Sequence, residues 1–113
     1  MKEFMMLFRY EPNPNFKPTA EQQQAMHTKW QSWFGNLASQ AKFISTHQLG
    51  MEGRVINPDH TVEEEMLVAD RMVVGGNLIV KAASFNEAVA LSKASPILEM
   101  GGKVEVREIL PMN

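Results

Sequence analysis

Residues 73–109 constrain the fold most. They run as an apolar strand, a serine-capped helix, a proline, a glycine pair and a strand of alternating character. A strand reads by apolar residues at every second position and a helix by apolar residues three or four apart, and this stretch switches from the first pattern to the second and back. Leu78 and Val80 point one way along the first strand and Ile79 the other. Ser84 starts the helix, with Glu87 three residues on in capping-box spacing, and Phe85, Ala88, Val89 and Ser92 share one helix face. Pro96 ends the helix, because the residue before a proline avoids helical backbone. Gly101-Gly102 makes a turn, and Val104 and Val106 then alternate with Lys103, Glu105 and Arg107 over residues 103–109.

The first half of the chain repeats the scheme. In residues 2–10, Phe4, Met6, Phe8 and Tyr10 fall on one face and Met5 and Leu7 on the other, so both faces of this strand need a cover. Arg9, on the second face near the strand end, is a candidate anion-binding group. Three prolines make residues 11–18 a loop. Thr19 and Gln22 form a capping box that opens a helix of about six turns. Met26, Trp30, Trp33, Phe34, Leu37 and Ala41 make its apolar stripe. His27 sits one turn before Trp30. A second strand spans residues 42–49, with Phe43, Ser45, His47 and Leu49 on one face.

Residues 50–71 read as an inserted hairpin, with Arg54-Val55-Ile56 in one arm, Asn57-Pro58-Asp59-His60 as the turn, and residues 65–69 as the other arm. Glu63-Glu64-Glu65 is a solvated edge, because consecutive strand residues point to opposite faces and cannot converge on a cation. Gly75-Gly76 separates the hairpin from the third long strand, residues 77–83.

The order is therefore β-α-β-(β-hairpin)-β-α-β over one domain, residues 1–113: an α+β, ferredoxin-like arrangement with an antiparallel sheet. Two helices cover one sheet face. The first strand is apolar on both sides, so a second copy of the sheet is the natural cover for the other. A homodimer through sheet faces, a dimeric α+β barrel, is the expected assembly.

Composition excludes several classes. A formal net charge of -2 gives no electrostatic footprint for nucleic acid. There is no apolar run long enough to span a membrane, and the N-terminal apolar stretch is short for a signal peptide. Without cysteine there is no disulfide or thiol nucleophile, and a cytoplasmic protein is expected. Nine methionines are expected mainly as core gap-fillers. No P-loop, dinucleotide glycine pattern, HExxH or serine elbow occurs, and His27, His47 and His60 lack metal-site spacing, so neither cofactor nor metal is expected.

The opening KEFMMLFR, the Trp30, Trp33 and Leu37 spacing, Gly75-Gly76, the SFNEAVALSKASP segment and the closing GGKVEVREI together resemble the YCII-related family, including its DGPF-domain branch. The resemblance implies a cleft between the first helix and the sheet, holding a His–Asp pair. Trp30 stands where that histidine would be, with His27 one turn away, and Ser95 stands where the aspartate would be. Glu64-Glu65-Met66-Leu67 occupies the DGPF position. Neither indole nor a plain hydroxyl titrates near neutral pH, so the pair's acid–base chemistry is not carried over. The leading expectation is a small-molecule-binding protein without a catalytic dyad, with Arg9, His27, Trp30, His47 and Ser95 as candidate pocket residues. The alternatives are a small cofactor-free isomerase, lyase or oxygenase acting on a ring compound, by fold-level analogy, and a regulatory or structural partner protein.

Overall fold

The computed structural model describes residues 1–112; Asn113, the last residue of the expected domain, lies outside them. Four strands form an antiparallel sheet: β1 (Lys2–Tyr10), β2 (Phe43–Gln48), β5 (Val73–Ala82) and β6 (Lys103–Glu108), in the order β2-β5-β1-β6. Between β2 and β5 lies a separate two-stranded ribbon, β3 (Val55–Ile56) with β4 (Val62–Glu63). The helices are α1 (Ala20–Ser39) and α2 (Phe85–Ser92), followed by a 3₁₀ helix at Pro96–Met100. The protein is α+β.

Both helices begin at a side-chain cap. Thr19 Oγ1 accepts from the Gln22 amide at 3.1 Å, and Gln22 Oε1 accepts from the Thr19 amide at 2.9 Å, a complete capping box. Ser84 Oγ accepts from the Glu87 amide at 3.2 Å. The Glu87 carboxylate, however, turns away to Lys42, 3.0 Å from its Nζ, so only half of the second box forms. The end of α1 is a Schellman motif: Lys42 N donates to Leu37 O and Ala41 N to Ala38 O, both at 3.0 Å. Ala41 takes the left-handed position at φ 57°, which usually falls to glycine.

The core lies between the sheet and the helices. Phe4, Met6 and Phe8 of β1 and Leu78, Val80 and Ala82 of β5 pack against Trp33 and Leu37 of α1, Ala88 of α2 and Ile97 of the 3₁₀ helix. Trp33 Nε1 donates to Leu91 O at 3.2 Å, which joins α1 to α2 through a buried indole. The opposite sheet face carries Met5, Leu7 and Ile79, only half-buried in the single chain.

Several expectations need correction. The second hairpin arm is Val62–Glu63, not residues 65–69. Residues 66–68 stay irregular, and the chain instead turns at Asp70 and Arg71, both left-handed (φ 52° and 64°), between Ala69 and Met72. Gly75 and Gly76 are not a separator: they lie inside β5, at a bulge that opposes Phe8 and Arg9. A Cβ on Gly76 would come 2.6 Å from the backbone oxygen of His47, so glycine there lets β2 approach. β2 does not keep one alternation. A bulge between Phe43 and Ser45 places Phe43 against Val80 on the helix side while Ser45 and His47 face the other way. The α-helix α2 stops at Ser92, before Pro96, which begins the 3₁₀ helix instead. Only Ala88 and Ser92 of the proposed α2 face are buried, while Phe85 and Val89 stay exposed. Of the methionines only Met6 is fully buried; Met1, Met51, Met100 and Met112 are exposed, so the core-filler role belongs to few of them.

No helix among the described residues is long and apolar enough to cross a membrane.

Candidate functional site

The five candidate residues divide between the two sides of the sheet. Trp30 lies on the helix side, where its ring meets Phe8 edge-on with centroids 5.2 Å apart and Trp33 at 5.8 Å. Phe34 packs against Trp30 at 5.8 Å and continues the cluster to Phe43 at 5.9 Å. Rings therefore occupy the space where a cleft between α1 and the sheet would open. Trp30 itself is half-buried, a ring at the margin of the core. His27, a turn earlier, is exposed. Ser95 is 2% exposed, and its Oγ has no hydrogen-bond partner among the described residues. It precedes the 3₁₀ helix without capping it.

Arg9 and His47 lie on the other, open face. Strand pairing aligns four of its residues in one row across the sheet: His47, Asn77, Leu7 and Glu105. His47 Nδ1 is 3.0 Å from Asn77 Oδ1. One step along β1, Arg9 Nη2 reaches Glu105 Oε1 at 3.2 Å. The next row in the other direction is Ser45, Ile79, Met5 and Arg107. The result is an apolar floor of Met5, Leu7 and Ile79, bordered by a His–Asn hydrogen bond toward one sheet edge and an Arg–Glu ion pair toward the other. Arg9 spends one guanidinium nitrogen on Glu105 and keeps further N–H donors for an anion, which a guanidinium grips bidentately.

Sequence reasoning missed Asn77 and Glu105. Asn77 was legible as a lone amide opening an apolar strand. The Glu105 contact depends on the β1–β6 register, which no local pattern specifies.

Two surface grooves lie elsewhere. One, of about 290 Å³, runs between α2 and β6, lined by Phe85, Val89, Lys93, Leu98, Val104 and Val106. The other, of about 480 Å³, lies beside the ribbon among Met51, Glu52, Glu64, Glu65, Met66 and Val68. No cluster of three or more His, Cys, Asp or Glu side chains placed to hold a metal occurs among the described residues. Asp59, in the ribbon turn, has its carboxyl held below the usual carboxylate range by hydrogen bonds from the Thr61 hydroxyl and amide.

Compared with known proteins, the chain matches no family model and no curated protein.

Proposed function

We propose that the protein is a homodimeric small-molecule-binding protein of the ferredoxin-like, dimeric α+β barrel type, built like the YCII-related family it resembles but without that family's acid–base pair. Its binding surface is the open sheet face rather than the helix-side position. The observation that carries this reading is the row of His47, Asn77, Leu7 and Glu105 with Arg9 beside it: polar groups on two sides of a half-buried apolar floor. Pockets for small molecules combine these two elements. Stacking a second copy on the face, at the roughly 10 Å spacing of packed sheets, covers Met5, Leu7 and Ile79 and encloses the polar groups between the sheets. The ligand class that fits is a small aromatic or cyclic carboxylic acid, its ring on the floor and its carboxylate on Arg9.

A thermal-shift screen of small aromatic and cyclic carboxylates tests it. A ligand at a hundred times its Kd adds about 2.7 kcal/mol, and Arg9→Ala should abolish the shift while Trp30→Phe preserves it. A shift that survives Arg9→Ala and disappears in Trp30→Phe would place the ligand on the helix side and overturn the proposal.

A further inference from the structure

The ribbon and the irregular segment that follows it stand out from the rest of the chain in shape, charge and surface. The molecule measures 46 × 42 × 19 Å with a radius of gyration of 15.7 Å, against about 13 Å for a compact domain of this length. Residues 50–71 hold six acidic side chains and two basic ones; the rest of the chain holds seven acidic and nine basic. An acidic projection of net charge −4 is thus attached to a body of net charge +2. The projection is also apolar where apolar groups are costly: Ile56 is 67% exposed, Leu67 70% and Val68 54%. The amides of residues 65–68 have no backbone partner among the described residues.

The body offers a matching surface. The groove between α2 and β6 has walls of Phe85, Val89, Leu98, Val104 and Val106, with Lys93 at its margin. Lys93 pairs with no carboxylate among the described residues. Beside this groove, β6 is an edge strand, so its outer N–H and C=O groups face no neighbouring strand among the described residues.

We propose that residues 63–68, Glu-Glu-Glu-Met-Leu-Val, of one copy dock in the α2–β6 groove of a second copy, and that the partner's segment docks reciprocally. Leu67 fills the apolar groove, Glu65 on the same side of the segment faces Lys93, and the unpaired amides of the segment meet the open edge of β6. Strand addition of this kind draws affinity from main-chain hydrogen bonds and register from alternate side chains. A reciprocal exchange closes under two-fold symmetry and leaves no sticky end for further growth. The inference rests on the homodimer of the preceding reading and adds the element that fastens it.

The test is a charge swap on the full chain, with dimer dissociation followed by analytical ultracentrifugation. Lys93→Glu alone, or Glu65→Lys alone, should weaken the dimer about tenfold, and the two substitutions together should restore it to within about threefold. Leu67→Asp should weaken it about thirtyfold, as loss of a buried apolar anchor does. All sites are exposed in the single chain except part of the groove wall, and circular dichroism checks that each variant stays folded. A wild-type chain that sediments as a monomer overturns this contact together with the homodimer. A wild-type dimer indifferent to Lys93→Glu and to Leu67→Asp, or one weakened by each charge change without rescue by the swap, overturns this contact alone.

Discussion

Trp33 and Leu91 are joined by a hydrogen bond of 3.2 Å from the indole N–H to the backbone oxygen, across the seam where α1 meets α2. The ring is 5% exposed and also meets Phe8 at 5.9 Å. Trp33→Phe removes the donor and leaves a gap beside Phe8, which together should cost about 1–3 kcal/mol in urea unfolding. His27→Ala, on the solvent side of the same helix, should stay within about 0.5 kcal/mol. Equal effects from the two would mean that the α1 stripe does not carry the core.

The Schellman end of α1 sets up a gain rather than a loss. Ala41 sits at φ 57°, where a Cβ is crowded by roughly 1–2 kcal/mol. Ala41→Gly keeps both closing hydrogen bonds and should raise stability by about 1 kcal/mol, seen as a higher melting temperature. A destabilised variant would show that residue 41 is not left-handed.

Gly76 predicts the opposite sign. A methyl group there would press on the backbone oxygen of His47 at 2.6 Å, and neither backbone yields without opening the β2–β5 pairing. Gly76→Ala should cost about 1–3 kcal/mol. Gly75→Ala should cost less, because the atoms it meets belong to the ring of Tyr10, a side chain that can swing aside.

Asp59 gives a pH signature. Its ionised carboxylate accepts from Thr61 N at 3.1 Å and Thr61 Oγ1 at 2.7 Å, which lowers its pKa from 3.8. A depressed carboxylate adds stability above its ordinary value and loses it as pH falls through the depressed one. The ribbon turn should therefore hold at pH 5 and loosen only below about pH 3.8. The Thr61 amide resonance reports this directly, and in Asp59→Asn, which keeps an acceptor oxygen but cannot titrate, the transition should vanish.

Much of the fold was written locally. The alternation Phe4-Met6-Phe8, the Thr19–Gln22 box and the Trp30–Trp33–Leu37 stripe each follow from neighbours within a turn or two, and the structure places them in β1, at the N-cap and on the core side of α1. The misplaced features depend on distant partners. The β2 bulge at Phe43/Ser45 exists because Phe43 belongs against Val80 while His47 meets Asn77. Met66, Leu67 and Val68 resemble a strand in composition, yet no strand among the described residues pairs with them; the chain turns two residues after Val68, at Asp70-Arg71. The candidate site was legible one residue at a time and not as an assembly. Arg9 and His47 were visible as polar groups on strands, but that they share a face, with Trp30 and Ser95 behind the sheet, follows from register and bulges.

The most direct measurement is an NMR titration of the labelled full chain with benzoate, a small aromatic carboxylate. Binding on the open face predicts concentrated shifts at Leu7, Arg9, His47, Asn77 and Ile79, and their loss in Arg9→Ala. Shifts centred on the Trp30 indole and Ser95 instead, or an unperturbed open face under saturating ligand, would contradict the proposed site.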